Sequence, residues 1–129
     1  MNIGFFAGSF DPFTNGHLHV VEMSVKLFDK VIIGISINRS KNRIYDIDLM
    51  KKAIENTLES HNLYNVKVVS YDELSGDVAI KNNATCFIRG IRNNIDYNYE
   101  KNLASLNEEL FNLDTIYIRA GKFENISSS

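Results

Sequence analysis

Ile3-Gly4-Phe5-Phe6-Ala7-Gly8-Ser9-Phe10-Asp11-Pro12-Phe13-Thr14-Asn15-Gly16-His17 is the stretch whose reading decides the fold. Its first five residues form an apolar run of the kind a strand buried on both faces requires. Downstream, Leu18, Val21, Val25 and Phe28 recur at the spacing of one helical face. A strand therefore ends, the chain turns at Gly8, and a helix begins near Asn15 or Gly16. In open α/β sheets, ligands bind beyond the carboxyl ends of the strands, where such turns lie. Gly8 has no Cβ, so a phosphate could approach the backbone N–H groups of Ser9 and Phe10. His17 falls in the first helical turn, where unpaired N–H groups and the helix dipole favour an anion. A nucleotide phosphate suits that setting. The Gly-x-Gly-x-x-Gly and Gly-x-x-x-x-Gly-Lys-Ser/Thr fingerprints are both absent, however, so the rest of the chain must decide.

Composition narrows the field. A chain of 129 residues fits a single domain that buries roughly two-thirds of its unfolded surface. Its net charge of −2 argues against general nucleic-acid binding or adhesion to a membrane surface, so any attraction for phosphate must be local. No apolar run approaches the ~20 residues of a membrane span, and the N-terminus lacks a signal-type core, which points to a cytoplasmic protein. The single cysteine, Cys86, excludes an internal disulfide framework, and its apolar surroundings suggest a buried, inert thiol.

Further along, Val31–Ile37 reads as a second strand, and a basic loop, Asn38-Arg39-Ser40-Lys41-Asn42-Arg43, follows it. Asp46 is placed to cap a helix with Ile47, Met50, Ile54 and Leu58 on its buried stripe. Val66–Val69 gives a third strand, Ser75-Gly76-Asp77 opens a short helical segment, and Thr85–Ile88 forms a fourth strand leading into Arg89-Gly90-Ile91-Arg92. Asp96 could cap a helix carrying Tyr99, Leu103, Leu106 and Leu110, and Thr115–Ile118 reads as a fifth strand. This alternation predicts a Rossmann-like α/β fold: an open five-stranded parallel sheet with right-handed crossovers and helices on both faces.

In that fold three loops bring donors to one sheet edge: Ser9 to His17, Lys41, and Arg89 with Arg92. Most loop lysines do nothing specific, but an arginine at a strand end faces the ligand edge. Glu100 could pair with an arginine or accept hydrogen bonds from a ribose. The motif loops hold no paired carboxylates, metal-type His spacing or Ser/His/Asp order. A donor-rich, base-poor site suits phosphoryl or nucleotidyl transfer, which needs positioning and charge stabilisation more than proton abstraction. A rate enhancement of about 10⁶ corresponds to about 8 kcal/mol, and one well-placed donor supplies roughly 3–4 kcal/mol. Two or three of His17, Lys41, Arg89 and the loop N–H groups would suffice with positioning, without a covalent intermediate.

At this point the residues match a known group. Gly8-Ser9-Phe10-Asp11-Pro12 with Thr14-Asn15-Gly16-His17 resembles the signature of the His/Thr-x-Gly-His nucleotidyltransferase superfamily, which includes nicotinate-nucleotide adenylyltransferases and cytidylyltransferases. Ser40-Lys41, Ile88-Arg89-Gly90-Ile91-Arg92, Asp96-Tyr97-Asn98-Tyr99-Glu100 and Ile126-Ser127-Ser128-Ser129 together resemble the bacterial phosphopantetheine adenylyltransferase family, in register from Ile3 to Ser129. The resemblance implies that ATP and 4′-phosphopantetheine, with Mg²⁺, give dephospho-coenzyme A and pyrophosphate in coenzyme A synthesis. It implies that His17 binds the α-phosphate and stabilises the transition state, while Lys41 holds the attacking phosphate. Ser9 and Phe10 would contact ATP and the pantetheine phosphate through side chain and backbone, and Arg89 the phosphopantetheine. Gly90, Ile91, Arg92 and Glu100 would line the adenosine and phosphate side. Phe123, Glu124, Asn125, Ile126, Ser127, Ser128 and Ser129 would close over ATP, and Ser75 falls where backbone touches the pantetheine arm.

The sequence departs from the family in two places. Ala7 stands where the family often has Pro, and the chain ends at Ser129, where the family continues into C-terminal helices. The expectation is one nucleotidyltransferase domain over residues 1–129 without those helices, which puts the family's homohexamer and the closure of the pantetheine pocket in question. Two alternatives stay open: adenylyl transfer to nicotinate mononucleotide, which the first motif permits, and a nucleotide-binding remnant without turnover.

Overall fold

The apolar runs become the centre of a five-stranded sheet. The computed structural model describes residues 1–37, 42–91 and 113–119. Along the chain come β1 (Ile3–Gly8), α1 (Asn15–Ser24), β2 (Lys30–Ser36), α2 (Ile47–Ser60), β3 (Val66–Tyr71), α3 (Ser75–Lys81), β4 (Cys86–Ile91) and β5 (Asp114–Arg119). The strands lie in the order β3-β2-β1-β4-β5, and every ladder is parallel. The predicted strand count, direction and open α/β architecture therefore hold.

Helices cover both faces, and this explains why β1 and β2 are apolar at nearly every position. On one face Phe6, Val31, Ile33, Ile35 and Ile88 pack against Val20 and Val21 of α1 and Met50, Ile54 and Leu58 of α2. On the other, Phe5, Ala7, Ile32 and Phe87 pack with Tyr71 and with Val78 and Ala79 of α3. Asp46 caps α2 as expected, accepting from the Leu49 N–H at 3.1 Å.

Three readings shift. α1 ends at Ser24 with Val25 as its C-cap; of the expected stripe Val21 and Phe28 are buried and Val25 packs against the core, while Leu18 is only partly buried and Val20 and Ser24 are buried beside them. Ser24 is tolerated there because its hydroxyl donates to the Val20 carbonyl at 2.7 Å. Arg89, Gly90 and Ile91 lie within β4 rather than after it, since the ladder to β5 runs on to the Ile91–Arg119 pair. Cys86, at the start of β4, is half-buried rather than fully buried. Desolvation still pushes its thiol above the ordinary value, so it remains a poor nucleophile. The predicted Asp96 helix lies outside the described residues.

Gly34, in the middle of β2, is set by close packing. A Cβ there would stand 2.5 Å from Phe5 Cζ and 2.8 Å from Tyr71 Cε1. Phe5 is fully buried and Tyr71 is nearly so, leaving neither ring room to retreat. Gly34→Ala is expected to destabilise the fold by about 1–3 kcal/mol through overpacking. Urea unfolding measures this, and an unchanged midpoint would contradict the ring packing.

Candidate active site

The site arises where β1 and β4 part. Connections run from β1 outward to β2 and β3, whereas β4 and β5 lie on the other side, so the strand order reverses between β1 and β4. The β1–β4 ladder ends at the Phe6–Ile88 pair. The flanking ladders continue to Gly8–Ile35 and to Ile91–Arg119. Beyond Phe6 and Ile88 the two central strands therefore separate at their carboxyl ends, the topological switch point at which such sheets bind ligands. Arg89 spans this opening: its Nη1 donates to the Ala7 carbonyl at 3.0 Å, partnering an acceptor near where the ladder stops.

His17 is fixed by the cap of α1. Thr14 is the N-cap; its side-chain oxygen accepts from the His17 N–H at 3.3 Å. In return His17 Nδ1 accepts from the Thr14 N–H at 2.9 Å. A backbone N–H can only donate, so Nδ1 is the acceptor and the neutral ring carries its proton on Nε2. The rings of Phe10, Phe13 and Phe6 surround the imidazole at centroid distances of 5.0, 5.5 and 6.2 Å. His17 thus presents an Nε2–H donor in a partly desolvated setting at a helix N-terminus.

The loop between β1 and α1 is held from outside by the segment before α2. Asp11 accepts the N–H groups of Ile44 and Tyr45, each at 2.8 Å. Arg43 lies alongside, its Nη2 3.9 Å from Asp11 Oδ1. The Ile44 N–H is the leading influence holding the Asp11 carboxyl below its ordinary value; partial desolvation opposes it, and the Tyr45 N–H and Arg43 add to it. Asp11 belongs to the quoted motif and Arg43 to the basic loop, but nothing local in the sequence pairs them across more than thirty residues.

The other expected site residues distribute as follows. Ser9 and Phe10 lie in the loop after β1, and Ser9 is exposed. Phe10 is only 2% exposed and its ring belongs to the core, so it can offer a ligand its backbone alone. That ring also occupies the space beside Gly8, where a Cβ would meet Phe10 Cζ at 3.1 Å. A side chain at Gly8 would therefore press on the Phe10 ring. Gly90 packs against α1, with Val20 Cγ2 3.2 Å from where its Cβ would be, and Ile91 ends β4. Ser75 opens α3, its hydroxyl 2.7 Å from that of Tyr71. Burial raises the Tyr71 hydroxyl above its ordinary value of 10.0, with Ser75, the Arg89 guanidinium and Ser36 opposing it. Lys41, Arg92, Glu100 and the run from Phe123 to Ser129 lie outside the described residues.

Among the described residues no group of three or more His, Cys, Asp or Glu is arranged to hold a metal ion. Asp11, the carboxylate of the loop, is already engaged by two N–H groups. No helix among the described residues is long and apolar enough to cross a membrane.

A parallel sheet with its crevice at the switch point, an Nε2–H histidine and a donor-rich loop define a nucleotidyltransferase-type site. In keeping with this, the family described as "Cytidylyltransferase-like" matches residues 5–129. The phosphopantetheine adenylyltransferase of Streptococcus pneumoniae (strain CGSP14) is 44% identical over 120 residues, covering 92% of this chain and 73% of that protein. That of Porphyromonas gingivalis (strain ATCC 33277) is 40% identical over 117 residues, covering 91% and 75% respectively. The chain belongs to the phosphopantetheine adenylyltransferase family, within the cytidylyltransferase-like nucleotidyltransferases. Its fold is also similar to that of a bifunctional NMN adenylyltransferase/ADP ribose pyrophosphatase from Francisella tularensis, with a TM-score of 0.66 at 20% identity over 95% of this chain and 41% of that one.

The Asp11 geometry sets a pH dependence. Its folded carboxyl titrates below the ordinary 3.8. The stability it contributes is therefore complete above 3.8 and is lost as pH falls through the lower folded value. Asp11→Asn should lower unfolding free energy by a constant amount from about pH 5 to about pH 8, with the gap to the parent closing in more acid solution. Denaturant titrations across pH check this, and an undiminished gap at about pH 2 would contradict it.

Proposed function

We propose that this chain transfers the adenylyl group of ATP to 4′-phosphopantetheine, giving dephospho-coenzyme A and pyrophosphate. A terminal phosphate oxygen of phosphopantetheine attacks the α-phosphorus of ATP; a new P–O bond forms, the α–β bridge breaks, and its electron pair leaves with pyrophosphate. The observation that carries this reading is the cap of α1, where His17 Nδ1 accepts from the Thr14 N–H and the imidazole carries its proton on Nε2 at a helix N-terminus after β1.

In this reading His17 donates to the α-phosphate in line with the attack, where the growing charge strengthens the hydrogen bond. Ser9 and the Phe10 backbone contact the triphosphate and the pantetheine phosphate, and Arg89 and Ser75 face the rest of the phosphopantetheine. Lys41 neutralises the attacking phosphate. Gly90, Ile91, Arg92, Glu100 and residues 123–129 line the nucleotide. The attacking oxygen is already a phosphate anion, so no general base is needed. Mg²⁺ bound to the β- and γ-phosphates would neutralise charge on the leaving group. Residues 1–129 act as one nucleotidyltransferase domain, and the homohexamer is the assembly the family resemblance suggests.

A second reading, adenylyl transfer to nicotinate mononucleotide, draws on the first motif and on the fold shared with the Francisella NMN adenylyltransferase. Pyrophosphate release with ATP and Mg²⁺, offered either acceptor, separates the two. Release with phosphopantetheine alone is expected; release with nicotinate mononucleotide alone would favour the second reading. Saturable ATP binding with no release from either acceptor would instead indicate a nucleotide-binding remnant. His17→Ala should lower kcat by about 100- to 1,000-fold. A loss of only a few-fold would remove His17 from the chemistry.

A further inference from the structure

Arg43 lies outside the motifs, yet its guanidinium reaches three backbone carbonyls as well as the Asp11 carboxylate. Nη1 donates to the Ser9 carbonyl at 2.6 Å and Nη2 to the Phe10 carbonyl at 3.2 Å. Nε donates to the Tyr45 carbonyl at 2.7 Å. The side chain is 16% exposed, so the planar fork is largely enclosed by the loop it binds. That loop needs holding: Phe10 sits at φ 46°, a left-handed conformation that a bulky residue keeps only where its surroundings over-determine it. The phenyl ring is fixed from below by Phe6 and Phe13, and the carbonyls on either side of the Phe10 Cα are fixed by Arg43.

Peptide geometry turns this clamp into an aiming device. The Ser9–Phe10 peptide is trans, since Asp11–Pro12 is the cis bond among the described residues. In a planar trans unit the N–H points opposite to the C=O. Holding the Ser9 carbonyl against the guanidinium therefore directs the Phe10 N–H away from Arg43.

We infer that Arg43 is a positioning residue for nucleotide binding: its fork on the Ser9 and Phe10 carbonyls aims the Phe10 N–H at a phosphate of ATP. The inference rests on the proposed binding of ATP by this loop. Arg43 acts in this inference through the loop, with Nε, Nη1 and Nη2 each donating to a backbone carbonyl.

The test is the dissociation constant of Mg·ATP for the full chain by isothermal titration calorimetry, with steady-state KM values for ATP and for 4′-phosphopantetheine beside it. Arg43→Ala is expected to weaken ATP binding and raise the ATP KM about fivefold or more, with a smaller rise in the phosphopantetheine KM, because the same loop also contacts the pantetheine phosphate. Arg43→Lys, a point charge without the fork, should recover part of the loss. Variants that bind ATP as the parent does, with only the Tm lowered, would overturn the inference and leave Arg43 a structural residue. Should Arg43→Ala fail to fold, the ATP affinity of Arg43→Lys decides in the same way. A parent that binds ATP but releases no pyrophosphate with phosphopantetheine would sink the proposed reaction while the affinity ratio still judges Arg43. A parent that binds no ATP would overturn both.

Discussion

The parting of β1 from β4 after the Phe6–Ile88 pair is the constraint on which the site depends. Two cores, one on each face of the sheet, lock the amino-terminal halves of the central strands in register. Their carboxyl ends are drawn to opposite neighbours, β1 to β2 and β4 to β5. The backbone groups released in between need other partners, because an unpaired buried carbonyl is costly. Arg89 supplies one at Ala7, and its cationic charge stays at the mouth of the crevice.

The chemistry follows from what this opening contains. His17 carries its ring proton on Nε2 because its Nδ1 accepts from the Thr14 N–H, and three phenyl rings lie against its imidazole. Asp11, which could have been a base or a metal ligand, is spent on the Ile44 and Tyr45 N–H groups. Donors are thus plentiful and acceptors engaged, on a protein whose net charge of −2 would otherwise repel a triphosphate. The attraction is local and built largely from oriented dipoles, as anion sites at helix N-termini are.

Much of the fold was legible because burial on both faces leaves a plain signature. The runs Ile3–Ala7 and Val31–Ile37 are apolar at nearly every step, and Asp46 stands before a clear helical stripe. The turn from Gly8 to the start of α1 was legible because strand, turn and helix start follow in order. What the sequence concealed is tertiary. The Thr14–His17 cap departs from the usual Ser/Thr-x-x-Glu/Gln pattern, so a histidine with one nitrogen committed was not foreseen. Phe10 reads as a loop residue but inserts its ring into the core, beside Gly8. Arg43 looks like one more basic loop residue until the fold brings it to carbonyls 33 and 34 positions away. Helix α1 ends a turn earlier than the stripe Leu18, Val21, Val25 and Phe28 suggested, yet Val21 and Phe28 are buried all the same.

The central claim is a single displacement at phosphorus, with the charge that develops met by donors and with no covalent intermediate on the protein. Exchange of labelled pyrophosphate into ATP, followed with and without the acceptor, tests it most directly. A direct transfer predicts no exchange when the enzyme, ATP, Mg²⁺ and labelled pyrophosphate are incubated alone, and exchange once 4′-phosphopantetheine is added. Exchange in the absence of any acceptor would mean that an adenylylated protein forms, and would contradict the account.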